Sequence, residues 1–229
     1  MPTAILIDGG FFLRRFPSCY PNKDKTDAKA VAKTAFEMAL SHLEEKSLHR
    51  TVSHELYRIF FYDCPPLSKK AHYPKTRRAI DFSKTPQSIF RLALHDELRK
   101  QRKVALRLGH LLDQTEWKLR TGRLKQLLDG CLDFNRLADE DFEFATIQKG
   151  VDMRIGLDIA SLSFKRQVDQ IVLVAGDSDF VPAAKLARRE GIDFILDPLW
   201  SVIHGSLHEH VDGVRSTCPN PASSNQTTS

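Results

Sequence analysis

The stretch "VLVAGDSDFVPAAKLARREG", Val172–Gly191, followed at once by "IDFILDP", decides the fold. "VLVAG" is a near-continuous apolar run, as a strand covered on both faces requires. "DFVPAAKLARREG" spaces Val181, Ala184 and Leu186 for one helix face, puts Pro182 in a first turn and stops at Gly191. "IDFILDP" is a second apolar strand closed by proline. Strand, helix, strand at this spacing is a parallel βαβ unit. The junction, "GDSD", holds more acid than folding needs. One oxygen-bearing side chain caps a helix. With Ser178 or Asp179 in that role, Asp177 is left without a structural task.

The same alternation extends in both directions from this unit. "TAILIDGG" reads as a buried strand ended by an Asp-Gly-Gly turn. A helix capped by Asp27 runs to Glu45 through Val31, Ala35, Met38 and Leu43. "ELYRIFFYDC" is a strand, "TPQSIFRLALHDELRKQ" a helix and "KVALRLGHLL" a strand. Asp113 to Asp141, with Trp117, a Gly122 turn and "RLKQLLDGCL", reads as an insertion or lid. "FEFATIQKG" resumes as a strand and "VDMRIGLDIASLSFKR" as a helix. A short helix, "VIHGSLHEHVD", precedes a Ser/Thr/Asn/Pro tail. The expectation is an α/β fold, a three-layer α/β/α sandwich with a central, mostly parallel sheet. It spans residues 1–215 as a single domain with the insertion near 113–141, and residues 216–229 form a disordered tail.

Composition narrows the class. The chain has 229 residues, 41% hydrophobic and 28% charged, as in soluble globular proteins. No apolar run reaches the roughly 20 residues that cross a bilayer, and no basic-then-apolar leader opens the chain. A cytoplasmic protein without membrane contact is expected. Cys19, Cys64, Cys131 and Cys218 stand singly, which suggests neither a zinc knuckle nor a disulfide framework. A net charge of +5 is a mild basic bias. Its distribution is sharper: Cys64–Ile80 and Leu98–Leu112 each carry five Lys or Arg and no acid. Such runs are solvated faces or phosphate-tracking surfaces. No phosphate-cradling loop and no dinucleotide fingerprint is present.

The carboxylates collect where a parallel sheet gathers ligands, beyond the carboxyl ends of its strands. Asp8 ends the first strand, Asp177 and Asp179 follow "QIVLVAG", and Asp152 sits in the first turn after "TIQKG". Each has a plain alternative: a turn residue for Asp8, a dipole-favoured first-turn acid for Asp152, a helix cap for Asp179. Asp158 falls off the face of Asp152 and reads as structural. Together, close carboxylates need balancing cations, and hard divalent ions take oxygen ligands. Mg²⁺ or Mn²⁺ held there would suit phosphodiester hydrolysis.

"AILIDGG", "QKGVDMRIGLDIASL", "VLVAGDSDFVPAAKLARREG" and "FILDP", in this order, resemble the NYN-domain family of the PIN-like ribonucleases, in its LabA-like bacterial branch. The resemblance spans about Thr3 to Ser216 and implies a metal-dependent endoribonuclease with one or two Mg²⁺ or Mn²⁺ ions. It matches Asp8, Asp152, Asp177 and Asp179 to the acidic pocket, and Ser178 to a small hydroxyl residue that contacts phosphate or orients a ligand. Lys149 and Arg154, flanking Asp152, are expected to bind phosphate, with the basic runs guiding the rest of the RNA. One departure stands out. Many members carry Asn shortly after the first Asp, where this chain has Phe11. The alternative expectation is therefore a PIN-like RNA-binding or regulatory module with a weak or inactive site. RNA is the expected partner, and a homodimer is left open.

Overall fold

The computed structural model describes residues 2–47, 50–112, 116–203 and 205–222. Six strands form the central sheet: β1 (Pro2–Asp8), β2 (Glu55–Asp63), β3 (Val104–Leu108), β4 (Gln170–Val174), β5 (Asp193–Asp197) and β6 (Gly213–Val214). They lie in the order β6-β5-β4-β1-β2-β3 and every pairing is parallel. The helices are α1 (Gly9–Cys19), α2 (Ala28–Ser41), α3 (Pro86–Arg99), α4 (Thr121–Leu128), α5 (Val151–Phe164), α6 (Val181–Arg189) and α7 (Gly205–His208).

Side-chain alternation makes the three layers. On β1, Ala4 and Leu6 pack with Ile155 and Ile159 of α5 and Ala184 and Ala187 of α6. Ile5 and Ile7 point the other way, onto Phe12 and Phe16 of α1, Val31 and Ala35 of α2 and Leu94 of α3. All four β1 residues are fully buried. Each such Leu or Ile contributes about 1.5–3 kcal/mol. From β1 the chain winds outward to β2 and β3, then returns to β4 on the opposite side. The reversal falls between β1 and β4, whose register from Thr3↔Gln170 to Ile7↔Val174 leaves their carboxyl ends level. A crevice opens at such a reversal.

Expectations change at several places. The helix capped by Asp27 ends at Ser41 rather than Glu45, and Glu44–Ser47 pairs antiparallel with Arg50–Ser53. Asp8-Gly9-Gly10 is not a turn: α1 begins at Gly9, with the Asp8 carboxylate accepting the Phe11 N–H at 3.1 Å. Gly9 is needed for close approach, since a Cβ there would lie 2.4 Å from Phe61 Cε1 and 2.6 Å from the Tyr62 carbonyl oxygen. "FEFATIQKG" does not enter the central sheet. Phe142–Ala145 pairs antiparallel with Glu116–Leu119, and Gln148–Lys149 with His110–Leu111. Its F-E-F-A alternation suits a half-exposed hairpin rather than a strand buried on both faces.

The insertion is larger than residues 113–141, of which 113–115 lie outside the described residues. It also takes in the hairpin Lys70–His72/Ala79–Asp81. Tyr73, Phe82, Trp117 and Phe144 form its aromatic core, with ring centroids 4.7–6.1 Å apart. The expected tail is packed at its start. Ser216 Oγ donates to Asp197 at 2.8 Å, Thr217 Oγ1 donates to the Met38 carbonyl at 3.1 Å, and Cys218 is buried. Polar composition suggested disorder, but these hydroxyls find buried acceptors. Residues 223–229 lie outside the described residues. Among the described residues, no helix is long and apolar enough to cross a membrane.

Candidate active site at the reversal of the sheet

Asp8 closes β1, and Asp177 and Asp179 follow β4 across Ala175 and Gly176, so adjacent strands deliver three acids to one crevice. Asp152 arrives differently from the expected βα junction. The ladder before α5 belongs to the insertion, and burial of Val151, Ile155 and Ile159 in the core brings the helix start to the same edge. The electrostatics place Asp152 between the other acids: its charge acts on Asp8, and it feels Asp177 and Asp179. Burial first, then the charge of Asp152, pushes the Asp8 carboxyl above its ordinary range, against hydrogen bonds from Phe11 and Gly10 and the charge of Arg14. Asp152 is also pushed up, by partial desolvation and then by Asp177 and Asp179. No cationic side chain offsets this at Asp152.

The sign of the linkage follows. The folded chain holds these two protons more tightly than the unfolded chain does. Their contribution to the metal-free protein's stability is therefore greatest below the ordinary Asp value of 3.8 and falls as pH rises through the raised folded values. Asp152→Asn in divalent-free buffer at neutral pH is expected to raise the melting temperature. The repulsion is screened by solvent, so the rise is on the order of 1–3 °C. Calorimetry across pH checks it, and the gain should shrink as the buffer is acidified.

The "GDSD" junction reverses the expected division of labour. Asp177 is the cap: its Oδ1 accepts the Asp179 N–H at 3.1 Å at the head of the 3₁₀ turn Ser178–Phe180. The residue entering α6 makes no side-chain cap. Asp179 is the acid without a folding role. Ser178 lies between them, partly exposed, with no side-chain hydrogen bond among the described residues.

Two residues of α1 join the site: Phe11, marked by the sequence only as a replacement for asparagine, and Arg14, which the sequence did not mark. Phe11, buried on α1, packs against Gly176, where a Cβ would meet its Cε2 at 2.5 Å. The two acid-bearing segments thus rest on one ring. Arg14, on the same helix, stands 6.0 Å from the Phe11 ring centroid, and its charge acts on Asp8. Reading Asp8-Gly9-Gly10 as a turn hid the helix that aims Arg14 here.

The other basic candidates divide. Lys149 and Arg154 are exposed and pair with no acid among the described residues. The second basic run is largely engaged: Arg99 with Asp96, Lys100 with Glu97, Lys103 with the Leu56 carbonyl and Arg107 with Asp158 at 3.2 Å. In the first run, Lys75 binds the Asn135 and Leu137 carbonyls, and Arg78 lies 5.0 Å over Tyr73. Asp158 also accepts the Tyr62 hydroxyl at 2.7 Å, which makes it structural as expected.

Residues 94–199 match the family model described as the NYN domain. That span carries Asp152, Asp177 and Asp179, while Asp8 reaches the crevice from outside it, by the pairing of β1 with β4. A solved structure of a protein of unknown function from Vibrio parahaemolyticus is similar over 93% of this chain and 90% of its own, with 16% identity and a TM-score of 0.44. No curated protein matches the chain.

Proposed function

We propose that this chain, which carries an NYN domain of the PIN-like, nuclease-type fold, is a Mg²⁺- or Mn²⁺-dependent endoribonuclease. The observation that carries the reading is the placement of Asp8, Asp177 and Asp179 at the carboxyl ends of two adjacent strands, with Asp152 near enough for its charge to act on Asp8 and to feel Asp177 and Asp179, and with no basic partner at Asp152. The donor chemistry fits a hard cation: oxygen ligands only, with excess negative charge. Among the described residues, no three His, Cys, Asp or Glu side chains stand in ready metal-holding geometry. Asp8, Asp152, Asp177 and Asp179 are the residues that would hold one or two ions. A divalent ion supplies Lewis acidity toward phosphate oxygens and water when bound.

The chain's own groups account for the rest. Asp8 and Asp152, whose carboxyls are raised while no cation balances them, are the two that a bound cation would relieve most. Arg14, Lys149 and Arg154 offer phosphate-binding charge along the crevice rim, and Ser178 a hydroxyl beside it. Burial of Phe11 against Gly176 fixes the spacing of the two acid-bearing segments. Cleavage of labelled single-stranded and structured RNAs, with Mn²⁺, with Mg²⁺ and with chelator, tests the proposal. Equal cleavage in chelator, or none with either ion, overturns it.

A second reading, an RNA-binding or regulatory module, is favoured by one observation: Phe11 fills the place of the family's asparagine. Phe11→Asn is expected to restore a polar group there and to raise cleavage if only that amide is missing. The same change removes a buried aromatic ring, which costs about 3–5 kcal/mol. Urea unfolding beside the cleavage assay separates the two effects.

A further inference from the structure

Where α3 and the residues after β2 meet the insertion lies a cleft of about 240 Å³ that nothing above uses. Its lining includes Phe82 and Phe144, whose ring centroids lie 4.7 Å apart and which both contact Trp117, together with Cys64 and Arg91. Gln87 and Gln148 line it from α3 and from the ladder before α5. Both are exposed, and neither side chain makes a hydrogen bond among the described residues. An amide presents both a donor and an acceptor, so the pair offers the complement of a base edge beside a π-surface on which a base can stack. The volume suits one base rather than a helix.

We infer that this cleft is a subsite for a single unstacked nucleobase of the RNA, beside the phosphate at the acidic crevice. Position supports it. Cys64 follows β2 at the carboxyl edge of the sheet and feels the charge of Asp152. Gln148 precedes Asp152 by a few residues, through Lys149. A base in the cleft thus leaves its backbone at the crevice, beside Lys149. The insertion then supplies base recognition and the sheet supplies the chemistry. A double-stranded segment cannot enter unless a nucleotide is turned out of its stack, so the substrate is single-stranded at this position.

The inference rests on the ribonuclease reading but is tested apart from it. Calorimetric titration of the full chain, with Mg²⁺ present, uses the adenosine, guanosine, cytidine and uridine monophosphates, with ribose phosphate as the base-free control. Saturable binding of at least one nucleotide, no comparable binding of ribose phosphate, and a loss of about fivefold or more in affinity in Gln148→Ala are expected. Gln148 is exposed and unbonded, so the variant should keep the parent's melting temperature; Gln87→Ala provides a second, independent truncation. Ribose phosphate binding as well as the nucleotides, or full affinity in both variants, overturns the subsite. Base-dependent binding without cleavage of any RNA sustains the subsite and overturns the nuclease. RNA cleavage without nucleotide binding does the reverse.

Discussion

Asp177→Asn is expected to lower divalent-dependent RNA cleavage roughly 100-fold or more, the scale of losing one preorganised charge-stabilising group. The fold should survive. Asp177 caps the turn before α6 through one side-chain oxygen, and Asn supplies that oxygen as well as Asp does. The substitution therefore separates the charge from the cap, which alanine would not do. Asp179→Asn probes the acid without a folding role and should match the loss of cleavage with still less effect on melting. Initial rates on labelled RNA at saturating Mn²⁺, alongside thermal melts, decide the matter. Parent-like cleavage in Asp177→Asn rejects the catalytic assignment.

A stability effect as large as that of losing the Phe11 ring is expected away from the crevice, at His95. Asp63 ends β2 almost wholly buried, bound by Arg91 and by His95 Nε2 at 2.7 Å. Burial pushes its carboxyl up, but the His95 hydrogen bond and the charge and hydrogen bond of Arg91 outweigh that and hold it below the usual range. His95→Ala removes one partner of a buried carboxylate and leaves a cavity, at a cost of about 3 kcal/mol or more. Urea unfolding at neutral pH measures it. The sign on pH is opposite to that of Asp8. A depressed folded pKa gives stability that is present above the ordinary Asp value of 3.8 and is lost as pH falls through the folded value. The stability gap between parent and Asp63→Asn should accordingly narrow in that acid range. A gap independent of pH there means that Asp63 is not held as a charged group.

The sheet was legible because its strands are apolar on both faces and its helices periodic. β1, β2, β4 and β5 each appear in the sequence as such runs, and α6 is delimited by Pro182 and Gly191. What the sequence concealed has one physical source: residues whose role is set by a distant neighbour. Gly9 signals a turn until Phe61 and the Tyr62 carbonyl are seen against it. Arg99, Lys100 and Arg107 look like free charge until Asp96, Glu97 and Asp158 pair with them. Phe142 and Phe144 alternate as any strand does, and only the partner at Glu116–Leu119 shows that they belong to the insertion. The positions of Asp8, Asp177 and Asp179 at strand ends were legible, whereas Asp152 reaches the edge from the insertion's ladder, and the choice between Asp177 and Asp179 as cap depended on a single N–H that sequence spacing does not assign.

The pairing of β1 with β4 joins residues such as Thr3 and Gln170 that lie 167 positions apart. During biosynthesis, β1, β2 and β3 can associate long before β4 leaves the ribosome. Until then the central strand of the finished sheet is an open edge, with Ile5, Leu6 and Ile7 beside unpaired backbone, the kind of surface that recruits foreign strands. The seam that gathers the acids thus joins two halves of the sheet made at different times, and β5 and β6 extend the sheet beyond β4 only from residues made later still.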